Sequence, residues 1–196
     1  MRVSTADRRA QLIDAAITVL MRDGYEKASL RVIAAEAGAS LAAVHVCFED
    51  KDDLMSAAME AFSVRLTVPV SGRAVLQRGI REAATKIMDG FWKAIIEDRN
   101  YAVAQFEVGL WSLRNTADSK IIRLIYENYE HQIAEVLDKA RRLSGDEPKL
   151  PIPLLARGVV AIMDGCSFQY MAAPQSSQAR ELCNRLLDGL FEQAGL

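Results

Sequence analysis

At 196 residues, 51% hydrophobic and 26% charged, the chain can form one large domain or a small domain joined to a medium one, with ample apolar mass for a core. Five prolines and 11 glycines are too few for the many turns of an all-β protein, so helices are expected between the breaks. A net charge of −2 and three scattered cysteines with no CxxC pair argue against a broadly basic surface, a disulfide framework and a structural zinc site, and no metal or cofactor is expected.

The N-terminal sequence MRVSTADRRAQL is charged where an export signal needs an apolar run. The longest uncharged stretch, residues 165–179, contains Pro174, Ser176, Ser177 and glutamines and cannot span a bilayer. The expectation is therefore a cytoplasmic protein with no membrane partner. The first periodic segment runs from Ala6 to about Arg22, with Leu12, Ala16, Val19 and Leu20 at helical spacing. Ser4 or Thr5 suits its cap, and Gly24 suits its end. A short helix follows from the cap Ser29 to Gly38, and after the turn 38–40 a third begins at the cap Ser40. Asp50 and Asp53 flank Lys51 with the spacing that starts a fourth helix.

The remainder reads as longer helices. Arg73 to about Asp98, Tyr101 to Arg114 and Ala117 to Arg142 come first, the last with Ile121, Ile125, Tyr129, Ile133, Val136 and Ala140 along one face. Residues 144–153 read as a loop. Pro153 fits the first turn of the next helix, which is apolar nearly all round and stops at Pro174. Ser176 or Ser177 caps a last helix with Cys183, Leu187, Leu190 and Ala194 as a seam beside Leu182, Leu186 and Phe191. The fold class is all-α, with about nine helices and no strand.

Two short helices joined by a glycine-containing turn, behind one longer helix, have the makings of a helix-turn-helix. Ala34, Ala35 and Ala37 permit close helix approach, Gly38 supplies the turn, and the third helix projects its first residues towards a major groove. The runs SLRVIAAEAGAS (29–40) and FEDKDDL (48–54) resemble the N-terminal signature of the TetR family, over residues 8–60. The helix 101–114 and the region around Met163 to Gly165 are similar to the branch of choline-responsive repressors. The resemblance implies a ligand-responsive transcription regulator, a repressor released from a palindromic DNA operator by a small molecule. Residues 1–50 would be the DNA-binding domain and 51–196 the ligand-binding and dimerisation domain.

Carried over position by position, the resemblance implies phosphate contacts from Ser29, Ser40 and Lys51, and physics agrees that helix N-termini receive anions. Arg31 matches an exposed position able to reach a base or a phosphate, and Leu41, Ala42, Ala43 and Val46 lie on the recognition helix. His45 stands where the family usually has a phosphate-binding tyrosine, and Cys47 where an aromatic or histidine is usual. Residues 1–54 hold seven Lys/Arg against nine Asp/Glu, which opposes DNA binding unless the basic groups are favourably placed.

For the small-molecule effector, Trp92, Phe106, Trp111, Tyr126, Tyr129 and Phe168 are candidate walls of an apolar pocket between helices, with Glu107 and Asp164 as orienting charges. The apolar last two helices need covering on every side, which a homodimer through them would provide. An all-α enzyme is disfavoured. Neither His45 nor His131 follows a glutamate three residues earlier, and no phosphate loop or nucleophile elbow occurs. A helical adaptor of the same fold that does not bind DNA is the remaining alternative.

Overall fold

The computed structural model describes residues 4–67, 76–115, 120–174 and 178–196, and the side chains of all these except 62–67, 101, 115, 120 and 121. Among the described residues there are nine helices and no strand. They are α1 (Thr5–Asp23), α2 (Leu30–Glu36), α3 (Leu41–Cys47), α4 (Lys51–Thr67), α5 (Ile80–Glu97), α6 (Arg99–Asn115), α7 (Lys120–Ser144), α8 (Ile152–Ala172) and α9 (Gln178–Gln193). No single helix among them is long and apolar enough to cross a membrane. By packing the chain forms two compact units, Met1–Ser63 with Val103–Tyr126, and Val64–Ala102 with Glu127–Leu196.

In the first unit, α1 buries Leu12, Ala15, Ala16, Ile17, Val19 and Leu20, a wide stripe at helical spacing. Ser4 caps it by accepting from the Asp7 N–H at 3.1 Å. The chain leaves α1 at Gly24, whose φ of 79° and ψ of 170° lie in extended positive-φ space rather than in the left-handed helical region.

In the second unit α5 buries Ile80, Ala83, Ala84, Ile87, Met88, Phe91, Trp92 and Ile95, and α9 lays Ala179, Cys183, Leu187 and Phe191 into the same core. Phe191 is wholly buried, and sealing a side chain of that size contributes about 2–3 kcal/mol. Arg81 fastens the carboxyl end, donating to Asp188 Oδ1 at 2.9 Å and to the Leu196 carbonyl at 2.8 Å.

Several boundaries differ from those the sequence suggests. The helix expected from Arg73 starts at Ile80 within the described residues, because the Asp146 carboxylate accepts from the Ile80 N–H at 2.7 Å and fixes the first turn there. Residues 73–75, and the expected caps Ser176 and Ser177, lie outside the described residues. On α7 the buried row is Ile125, Tyr129, Ile133, Leu137 and Ala140. Leu137 takes the place expected of the half-buried Val136: the row keeps its four-residue step as far as Leu137 and makes the compensating three-residue step from there to Ala140. On α9, Leu190 is half-buried, and a Cβ on Gly158 would stand 2.8 Å from its Cδ2, so that glycine admits the leucine.

The cysteines sort by environment. Cys183 is sealed, donates to Met88 Sδ at 3.2 Å, and burial pushes its thiol up to about 12. Burial also raises the Cys166 thiol, whereas Cys47 is partly open to solvent. Because the thiolate is the nucleophile, a maleimide at pH 8 is expected to label one position per native chain, Cys47, and all three after denaturation. Peptide mass mapping that found Cys166 or Cys183 labelled as fast as Cys47 would contradict this packing.

Candidate nucleic-acid interface

Helices α2 and α3 are each seven residues long and meet at 103°, within the range of a helix-turn-helix. Ile33 and Ala34 of α2 and Val44 of α3 are buried with α1, and alanine at 34 lets the backbones approach. The turn between them uses Gly38 at φ 59°, a conformation side-chain-bearing residues adopt at a cost. Ser29 and Ser40 cap the two helices by accepting from the Val32 and Ala43 N–H groups at 3.3 and 3.2 Å. At the far end of α3, Phe48 is buried, and Arg9 donates to the Cys47 carbonyl at 2.7 Å with its guanidinium 4.2 Å from the Phe48 ring.

Fixed in this way, the pair presents one outer edge. Ser29, Arg31, Ser40, Ala42, His45 and Val46 are exposed, while Leu41, Ala43 and Cys47 are half-buried. Val46 is 74% exposed, an apolar side chain with no intramolecular reason to be there. Among the described residues Arg31 and His45 make no hydrogen bond or ion pair. Two of the carboxylates nearby are engaged in starting α4: Asp53 donates its backbone N–H to Asp50 Oδ1 at 2.9 Å, and its own side chain accepts from the Glu49 N–H at 3.1 Å. The edge therefore consists of cap hydroxyls, an arginine, an imidazole and methyl groups, which suits phosphate and thymine-methyl contact.

Lys51 is half-buried at the first residue of α4. Its ammonium donates to the Tyr25 carbonyl at 3.0 Å and sits 3.9 Å from the Tyr25 ring centroid. Burial pushes its pKa down, opposed by the neighbouring Asp52. Tyr25 itself was not among the expected site residues; the available signal was an aromatic directly after the helix-ending Gly24.

A family model described as bacterial regulatory proteins, tetR family, matches residues 12–58, the whole of this edge and the adjoining parts of α1 and α4. The nicotine-responsive transcriptional repressor HdnoR of Paenarthrobacter nicotinovorans is 43% identical over 196 residues, all of both chains. The chain belongs to the TetR family. The regulator BetI of Vibrio parahaemolyticus is 25% identical over 186 residues, 92% of this chain and 90% of its own. Among solved structures, a TetR-family regulator from Rhodococcus superposes with a TM-score of 0.75 at 19% identity, over 95% of this chain and 99% of that one. The TetR-family protein described here is a ligand-responsive DNA-binding transcription regulator and not an enzyme.

The TetR chain divides the expected effector residues between its units. In the first, Phe106 and Trp111 are half-buried, Tyr126 is half-buried and Glu107 is exposed. The Glu107 carboxylate accepts from the Tyr25 N–H at 3.1 Å, and Trp111 stacks on Tyr25 with ring centroids 4.4 Å apart. A cleft of about 360 Å³ runs beside them, lined by Gly24, Glu26, Lys27, Glu107, Leu110 and Arg114 among others. In the second unit, Trp92 and Tyr129 are buried, Asp164 is half-buried and Phe168 is 57% exposed. Trp92 meets Tyr170 edge to face at 5.3 Å and Phe91 at 6.4 Å, and its Nε1–H is sealed from solvent beside the Cys183 thiol.

Gly24 is a tight point of the first unit. A Cβ there would stand 2.8 Å from Glu107 Oε2, in a backbone region that is essentially glycine's own. Replacing Gly24 by Ala is expected to lower the unfolding free energy by about 1–3 kcal/mol, read from urea denaturation. An unchanged midpoint would show that the turn relaxes freely.

Proposed function

We propose that this TetR-family regulator is a repressor that binds a palindromic operator as a homodimer and is released by a nitrogen-containing aromatic effector resembling nicotine. The observation that carries the DNA half is the edge of α2 and α3, where Arg31, Ser40 and His45 stand exposed on a pair of helices fixed at 103°. Ser29, Ser40 and Lys51 hold phosphates, Leu41, Ala42 and Ala43 lie along the groove, and Arg31 reads a base. Residues 1–50 perform this task, and residues 51–196 bind the effector and the second copy, in the cytoplasm.

Dimerisation through α8 and α9 is supported by what those helices leave uncovered. Leu154 and Phe168, four turns apart on α8, are 50% and 57% exposed, and Leu182 and Leu186 on α9 are 39% and 46% exposed. Two such helix pairs related by a two-fold axis would cover one another and set the two α3 helices about 34–36 Å apart, or a small multiple. Leu154→Glu with Leu186→Glu is expected to give a folded monomer in sedimentation that no longer retards a selected operator duplex. A double variant that stays dimeric would remove this interface.

The effector class is supported by the full-length similarity to HdnoR, named for its response to nicotine, and by the Phe91–Trp92–Tyr170 cluster. The buried Trp92 Nε1–H, which has only the weakly accepting Cys183 sulfur beside it, offers a donor to a heteroaromatic nitrogen. Nicotine is expected to raise the melting temperature and dissociate the operator complex, and Trp92→Phe to remove the response while leaving DNA binding intact. No thermal shift and no dissociation with nicotine would sink this effector class without touching the DNA reading.

For the DNA contacts, Lys51→Ala is expected to weaken binding to all duplexes and to lower the salt slope by about one, whereas Arg31→Ala also relaxes preference at particular bases. Equal, sequence-blind losses from both would remove Arg31 as a reader.

A further inference from the structure

We propose that Glu107 and Trp111 of α6 are positioning residues for Lys51, acting through Tyr25. The inference rests on Lys51 contacting phosphate, and adds what holds it in place.

The chain of contacts lies within the first unit. Tyr25 is 3% exposed and is held through its ring and its backbone, with the Asp52 carboxylate beside its phenol. Two of those handles belong to α6. Glu107 Oε2 accepts the Tyr25 N–H at 3.1 Å, and Trp111 packs on the ring at 4.4 Å with an interplanar angle of 34°. The other two are given to Lys51: the Tyr25 carbonyl accepts one ammonium proton at 3.0 Å, and the ring sits 3.9 Å from the same nitrogen. One residue thus joins a helix 82 positions away to the first residue of α4. Gly24 belongs to the same arrangement, because any side chain there would push into Glu107 Oε2.

This accounts for two odd features. Glu107 is exposed, but its carboxylate serves a backbone N–H, where an ordinary surface glutamate serves water. Lys51 is half-buried at a position where a DNA-contacting lysine would gain reach by being free. A lysine ammonium has three donors, so the Tyr25 carbonyl leaves two for a phosphate oxygen. Fixing the long side chain beforehand removes rotamer freedom that binding would otherwise have to remove. The cation–π contact adds to the support that the neighbouring Asp52 gives the charge of the ammonium.

The test uses the full-length protein and a duplex of about 30 base pairs, selected by it from a random pool and long enough for two half-sites. Binding is read by fluorescence anisotropy between 50 and 200 mM salt. Lys51→Ala should weaken binding about tenfold and lower the salt slope by about one. Glu107→Ala and Trp111→Leu should each weaken it about three- to tenfold with a lower slope, and cost nothing further when added to Lys51→Ala. Glu107→Gln, whose amide oxygen still accepts the Tyr25 N–H, should restore binding. Thermal melts identify any variant that loses its fold, and the exposed Glu107 pair of variants decides the matter should Trp111→Leu do so.

Losses that add to those of Lys51→Ala, or tighter binding by Glu107→Ala, would overturn the positioning role. A Lys51→Ala protein with unchanged affinity and slope would instead remove the phosphate contact itself.

Discussion

Two helices of seven residues each cannot persist alone in water, because nucleating a helix costs more than one or two turns return. Everything the N-terminal unit does depends on α1 holding α2 and α3 at their angle. Ile33, Ala34, Val44 and Phe48 supply the buried side, and Leu12, Ala16 and Leu20 of α1 are equally sealed. The three helices have little polar cross-linking among their buried parts, so their angle is set by side-chain volume. Ala34 matters most in this respect. A larger residue there would force α2 off α1 and swing α3, since interiors at crystal-like density absorb added methylenes only by moving backbone.

Charge raises the sharper question. With seven basic and nine acidic residues, positions 1–54 are not a basic patch, and long-range steering towards DNA is correspondingly weak. Position matters more than the total. Asp50 and Asp53 are turned into the start of α4, where the helix macrodipole favours negative charge. Asp23 and Glu36 both accept from Arg22, at 2.8 Å. The outer edge from Ser40 through His45 carries no carboxylate at all. On the proposed reading, contacts there would be short-range hydrogen bonds from hydroxyls and helix N-termini, which salt screens less than distant charge pairs.

Much of this was legible in the residues themselves. Caps, turn glycines and periodic stripes are local, so Ser29, Ser40, Gly38 and Asp50 could be read one at a time, and all four stand where the pattern put them. The start of α5 was not legible, because the carboxylate that fixes it comes from Asp146, 66 positions away. The same holds for the effector candidates. Glu107 and Trp111 read as candidates for an effector pocket, and both do line the cleft of the first unit. What the residues could not announce is that they also hold the backbone and ring of Tyr25, more than 80 residues earlier. Periodicity reports which face of a helix is apolar and says nothing of which helix will meet it.

The composition of α3 then constrains how such a regulator can be specific. Leu41, Ala42, Ala43 and Val46 offer methyl groups and no donors, so direct readout along the helix is confined to thymine methyls. A good bidentate contact discriminates by about 1–3 kcal/mol, and methyl contacts offer no second hydrogen bond to match it. On the proposed reading, selectivity beyond what Arg31 supplies would therefore come from geometry: the spacing of two half-sites, the shape of the grooves, and the exactness with which caps and Lys51 would meet phosphates on a particular backbone path. A protein that reads shape in this way is unusually sensitive to small changes in where its phosphate contacts stand. That sensitivity makes the position of Lys51, and whatever holds it, a more effective point of control than any base-contacting side chain on α3.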